Sequence, residues 1–143
     1  MGGELREKGC QLTSPRKQIG SVKKMLTQAE AETFASEWIE AWNSHDLDRI
    51  LAHYSEDFEF SSPFVVRIAG EPSGRLRGKK LVGAYWAKAL ARIHELRFKR
   101  GSVLWGVNSI VINYERQDGR LASEWFELGE NGKVIRSAAH YLR

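Results

Sequence analysis

Residues 109–142, SIVINYERQDGRLASEWFELGENGKVIRSAAHYL, hold three runs of alternating apolar and polar side chains, Ser109 to Arg116, Leu121 to Leu128 and Val134 to Leu142. Asp118-Gly119 and Asn131-Gly132 join them. Both dipeptides tolerate the positive φ of tight hairpin turns, so the stretch reads as a three-stranded antiparallel meander. Alternation sorts the middle run into two faces, with Ala122, Glu124, Phe126 and Leu128 on one and Leu121, Ser123, Trp125 and Glu127 on the other. With the first set inward, Glu124 is a carboxyl set against an apolar layer. Desolvation then raises its pKa and makes it a candidate acid or proton shuttle near neutral pH. Trp125 is apolar too, so the faces can also be reversed, or a basic residue can pair with Glu124; either leaves it an ordinary acid.

Upstream, Leu96 to Trp105 is a fourth strand-like run, separated from the meander by Gly106-Val107-Asn108. Lys79 to His94 has helical spacing, with Leu81, Val82, Tyr85, Trp86, Ala89, Leu90 and Ile93 on a broad apolar face. Gly70, Pro72, Ser73, Gly74 and Gly78 give the preceding stretch the chemistry of a loop. Phe64 to Ile68 reads as a short strand, and Asp57 to Phe60 as another, interrupted by Ser61-Ser62-Pro63. Asp46 can cap a short helix with Leu47, Ile50, Leu51 and Tyr54 on its apolar edge. Thr27, followed three residues later by Glu30, is a capping-box signature for a helix running to about Asn43. Its apolar stripe is Ala31, Phe34, Ala35, Trp38, Ile39 and Trp42. Helices first and a long antiparallel sheet after them give an α+β layer architecture.

The chain has 143 residues, the size of one domain, with 42% hydrophobic and 28% charged side chains, which excludes collagen, coiled-coil and disordered classes. The net charge of +4 lies wholly in residues 1–24, where Arg6, Lys8, Arg16, Lys17, Lys23 and Lys24 face only Glu4 and Glu7. That stretch lacks apolar periodicity and reads as a disordered basic tail, or as the result of a start placed too early, with Met25 the true one; residues 25–143 form the domain. Because the body is neutral, no nucleic-acid partner is expected. A single cysteine, Cys10, allows no internal disulfide, and with no secretory signal ahead of it the expected location is cytoplasmic. No apolar run approaches the roughly 18 residues of a membrane span, so no membrane partner is expected.

Neither a phosphate-binding glycine loop nor a Gly-x-Ser-x-Gly elbow occurs, so no cofactor is expected. His45, His53 and His94 fall on a turn and two helix positions with polar neighbours, and no metal site is expected from them. The aromatic set Trp38, Trp42, Tyr54, Phe60, Tyr85, Trp86 and Tyr114 is partly plain core but larger than a core of this size needs. A cavity with such walls suits a flat apolar ligand. Arg75, Arg77, Lys79 and Lys80 form a basic run, either solvated or placed to draw an anionic ligand toward the cavity mouth.

The order of elements, with Ala41-Trp42-Asn43-Ser44-His45-Asp46-Leu47 and then His53-Tyr54-Ser55-Glu56-Asp57-Phe58-Glu59-Phe60-Ser61-Ser62-Pro63, resembles the nuclear transport factor 2-like superfamily and its SnoaL-like branch over residues 27–143. The resemblance implies a cone-shaped curved antiparallel sheet wrapped around the N-terminal helices, with an internal pocket and homodimers packed through the outer sheet faces. Its members include ketosteroid isomerases, polyketide cyclases, epoxide hydrolases, dehydratases and proteins without catalysis, so fold alone does not assign function. The isomerase base, an Asp before Pro, falls on Ser62; the first-helix tyrosine falls on Trp38, whose indole N–H can donate but not titrate; the second acid falls on Glu124. The resemblance also puts Tyr141 in the pocket and His140 on the outer face.

The resulting expectation is a small apolar organic ligand bound by Trp38, Trp42, Tyr54, Phe60, Tyr85, Trp86, Tyr114, Phe126 and Tyr141. Glu124 and Ser62 are the catalytic candidates for cofactor-free isomerase, cyclase or hydrolase chemistry. The alternative is a non-catalytic dimeric module binding a ligand or a protein.

Overall fold

A computed structural model describes residues 25–142. The reading of residues 1–24 as a tail concerns residues outside those described.

Helix α1 spans Gln28–Ser44 and opens on the expected capping box: the Glu30 amide donates to Thr27 Oγ1 at 3.1 Å and the Thr27 amide to Glu30 Oε1 at 2.9 Å. It ends at His45, the one described non-glycine residue with positive φ, at 62°. His45 Nε2 donates to the Leu96 carbonyl at 2.8 Å. Asn43 meanwhile pairs with the backbone of Phe98 through both its amide atoms, at 2.9 and 2.7 Å. The helix-breaking residues Asn43 to His45 therefore also clasp the chain that enters the sheet.

Helix α2 is Leu47–Leu51, capped by Asp46, and strand β1 is Tyr54–Ser61. Tyr54 thus starts a strand instead of closing a helix edge. The expected strand Phe64 to Ile68 is helical: a turn begins at Pro63 and continues as a π-helix over Val65–Ala69. Ser62 caps it, with Oγ accepting from the Phe64 amide at 3.1 Å and its carbonyl accepting from the Val65 amide at 3.0 Å. Serine at the cap and proline at the first helical position outweigh the strand preference of Val65, Val66 and Ile68.

Strand β2, Arg75–Arg77, forms within the expected loop and pairs with β1. Helix α3 is Lys79–Arg92, followed by β3 Lys99–Trp105, β4 Ser109–Glu115, β5 Leu121–Leu128 and β6 Val134–Tyr141. Gly83 brings α3 close to α2, since a Cβ there would lie 3.2 Å from Leu51 Cδ1. Leu81, placed by its spacing on the apolar face of α3, is exposed.

The six strands form one sheet in the order β2-β1-β6-β5-β4-β3. The hairpins turn at Gly119 and Gly132, with φ of 83° and 80°. The sheet is mixed rather than wholly antiparallel, because β1 runs parallel to β6 while the other pairs are antiparallel. Between them the chain crosses over through α3 and the other strands, as a parallel pair requires.

Simple alternation puts Val134 outside with Arg136. The register slips between Glu127↔Arg136 and Leu128↔Val134, leaving Ile135 as an extra residue, and this bulge turns Val134 into the core. A second irregularity bends β3 between Arg100 and Val103, where Gly101 comes so close to β4 that a Cβ would lie 2.8 Å from the Asn113 carbonyl oxygen. Curved in this way, the sheet holds α1 on its inner face. Trp38, 1% exposed, meets Phe126, Tyr114 and Phe98 with ring centres 5.3, 5.4 and 5.8 Å away. Such aromatic pairs add about 0.5–1.5 kcal/mol each beyond their burial.

Candidate functional site

A cavity of about 290 Å³ lies between the curved sheet and the helices, near the lower end of the roughly 300–1,000 Å³ common for small-molecule sites. Helix α1 contributes Trp38 and Trp42, one turn apart; α3 contributes Tyr85, Trp86 and Ala89. The α3–β3 connection, held by Asn43 and His45, brings in Ile93, Leu96 and Phe98. From the inner face of the sheet come Phe60, Tyr114, Glu124 and Tyr141.

The pairing explains that last group. Glu124 lies opposite Ile112 on one side and Ala139 on the other, Tyr114 and Tyr141 both pair with Ala122, and Phe60 pairs with Ser137, itself opposite Phe126, so all four positions share the concave face. The face holding Ala122, Glu124, Phe126 and Leu128 is therefore the inner one.

Glu124 is 4% exposed, and no basic side chain pairs with it among the described residues. The Tyr114 hydroxyl donates to its Oε1 at 3.2 Å. Burial raises the carboxyl from 4.5 to about 8, a shift only partly opposed by the Tyr114 hydrogen bond. Burial and the neighbouring Glu124 charge also push the Tyr54, Tyr114 and Tyr141 phenols upward, and burial raises Tyr85. At neutral pH the cavity therefore presents mostly a neutral carboxylic acid among protonated phenols.

Seven of the nine expected ligand-binding residues line the cavity; Tyr54 and Phe126 do not. Tyr54 lies behind the wall, where its hydroxyl accepts the Trp38 indole N–H at 2.9 Å. Phe126, fully buried, packs edge-on against Trp38 and Phe34. The Trp38 donor is thus already engaged and is not offered to the cavity. Ser62 is off the wall as well. It is buried and caps the π-helical turn, and its hydroxyl offsets only part of the upward shift that burial gives the Tyr85 and Tyr141 phenols.

The mouth is formed by residues that periodicity did not single out: Phe64, Arg67 and Ile68 from the π-helical turn, and Arg116 and Gln117 after β4. Arg67 was hidden by the strand reading of its segment. Arg116 had a signal, since it stands two residues after Tyr114 and so shares its face. The basic run contributes nothing here: Arg75 pairs with Glu59 at 3.0 Å, Arg77 donates to the Asp57 carbonyl at 3.2 Å, and neither lines the cavity, nor do Lys79 and Lys80. Two polar atoms of lining residues are buried without a hydrogen-bond partner among the described residues, Nε1 of Trp42 and Oε1 of Gln117.

His140 is exposed, opposite Ser123 on the outer face. His45 and His53 bond to backbone carbonyls of Leu96 and Ile50. Among the described residues no three His, Cys, Asp or Glu side chains converge to hold a metal, and no helix is long and apolar enough to cross a membrane.

The family model of the SnoaL-like domain matches residues 35–137. A SnoaL-like protein of unknown function from Burkholderia thailandensis is 53% identical, covers 84% of this chain and 100% of its own, and superposes with a TM-score of 0.81. A protein of the SnoaL-like family from Agrobacterium tumefaciens, provisionally named an isomerase, is 14% identical over 81% of this chain and 100% of its own, with a TM-score of 0.65. The epoxide hydrolase/cyclase-like enzyme SalBIII, which has a role in pyran ring formation in the polyether salinomycin, is 14% identical over 80% of this chain and 92% of its own, with a TM-score of 0.63. At such identity the last two share the fold alone. Among curated proteins none matches.

Proposed function

This chain belongs to the SnoaL-like branch of the nuclear transport factor 2-like superfamily, and we propose that its cavity binds a small, largely apolar organic molecule on which Glu124 acts as an acid–base catalyst. The observation that carries this reading is a buried carboxyl, raised to about 8 and hydrogen-bonded to Tyr114, on the wall of an aromatic cavity. A general acid works best with a pKa near the operating pH.

Among the described residues Glu124 is the one carboxyl on the wall, and being mostly neutral at pH 7 it must give a proton before it can take one. It protonates a ligand oxygen, and the Tyr114 hydroxyl stabilises the carboxylate that remains. That carboxylate then accepts a proton from a ligand C–H, which completes an isomerisation. In epoxide ring closure, the C–O bond breaks as the epoxide oxygen takes the proton. A ligand hydroxyl forms the new C–O bond, and its proton returns to Glu124. Both cycles restore the acid and need no cofactor.

Replacing Glu124 with Gln keeps the shape and a hydrogen-bonding partner for Tyr114 while removing titration. Across a panel of small epoxides and enolisable cyclic ketones, turnover by the wild type should fall by about 10²- to 10⁴-fold in Glu124→Gln, with the ligand still bound. The rival reading, a binding module without catalysis, draws support from Ser62, which stands at the isomerase base position yet lies off the wall. Binding without turnover in the wild type would favour it. The outer face of the sheet supports a further proposal, a homodimer packed sheet to sheet.

A further inference from the structure

The mouth of the cavity holds two guanidinium groups beside one aromatic ring. Arg67 lies over Phe64 at 4.9 Å, and Arg116 lies 5.7 Å from the same ring and 5.2 Å from that of Tyr141. Cation–π contacts of this kind hold the guanidiniums beside the rings without using their N–H donors. Their charge is poorly compensated. Arg116, whose side chain is 17% exposed, has one carboxylate nearby, Asp118 Oδ2 at 3.9 Å. Asp118 is itself shared with Arg120 at 3.9 Å and with the hairpin backbone. No carboxylate among the described residues lies within ion-pairing distance of Arg67, and Glu124, mostly neutral at pH 7, does not offset the pair. Deeper in, Trp42 is 6% exposed and lines the cavity with an indole N–H that has no partner among the described residues. A ligand oxygen that accepts from this N–H relieves the penalty of a donor buried without a partner.

From these contacts we infer that the ligand is an amphipathic organic monoanion. Its carboxylate is clamped at the mouth between Arg67 and Arg116, its one- or two-ring apolar body lies among the tryptophans, and an oxygen on that body accepts from Trp42. Guanidinium groups suit a planar carboxylate because they bond it in parallel pairs. The assignment rests on the cavity being a ligand site, and it narrows the substrate class from apolar molecules in general to carboxylic acids.

The test compares 2-naphthoate with its neutral isostere 2-naphthamide, by calorimetry at pH 7 and low salt. The wild type should bind the naphthoate at least about tenfold more tightly, the size of one charge-assisted hydrogen bond. Arg67→Gln, at an exposed position where folding is not at risk, and Arg116→Gln should each erode that preference, and the double variant should bind both probes alike. Added salt should weaken the naphthoate and leave the amide unchanged. If both probes bind wild type and variants equally, the clamp is wrong while the cavity remains a ligand site. If neither probe binds the wild type, the reading of the cavity itself fails and the clamp with it.

Discussion

Glu124 owes its character to its surroundings, and this makes it costly to the fold at high pH. Its carboxyl stands at about 8 in the folded protein against 4.5 for the free group. Between those values the native state holds a proton that the unfolded chain has released. Stability therefore falls as pH rises through that window, by up to about 1.4 kcal/mol per pH unit, and is flat in this respect above and below it. Glu37, Glu71 and Asp118, whose carboxyls are lowered by hydrogen bonds to Arg49, Ser73 and Arg120, act below the window and do not mask it. Urea unfolding at several pH values should show Glu124→Gln gaining on the wild type from about pH 5 to pH 8. Parallel pH profiles for the two proteins would mean that Glu124 is not displaced.

The sheet offers a different surface on its outer side. Leu104, Val111, Trp125 and Ala138 form a row across four strands by their pairing, and Leu104 is 57% exposed. Above the row, Ser123 and Asn113 hydrogen-bond to each other and Asn113 to Ser102; below it, Arg136 pairs with Glu127 at 2.7 Å. An apolar strip between satisfied polar rows suits a second copy of the same sheet. Light scattering at micromolar concentration should report a dimer, and Trp125→Glu a monomer; a monomeric wild type would remove the idea. The hairpins of this sheet were legible because Asp118-Gly119 and Asn131-Gly132 act locally, whereas alternation sorts β5 into two faces but leaves open which is inner, since Trp125 on the opposite face is apolar too. The bulge at Ile135 is not legible, because alternation carries no mark of an extra residue, and so strict alternation puts Val134 outside. The π-helical turn is illegible because Ser62-Pro63 interrupts a strand as readily as it caps a helix, and Val65, Val66 and Ile68 favour the strand, which conceals Arg67.

No single element makes the cavity. Trp42 and Trp86 meet with ring centres 5.2 Å apart, joining α1 to α3, and Phe98 stacks on Trp38 because Asn43 holds its backbone. Periodicity could place the aromatic residues on inward faces, but Tyr54 and Phe126 fall behind the wall only once the curvature of the sheet is known. The same enclosure keeps water from Glu124, so the state of that one carboxyl reports on the assembled cone. The decisive measurement is an NMR titration of the Glu124 side-chain carboxyl in the unliganded protein, assigned with Glu124→Gln. A midpoint near 8 is predicted; a midpoint at or below the ordinary value of 4.5 would show the group solvated or ion-paired and would contradict its role as the acid of this site.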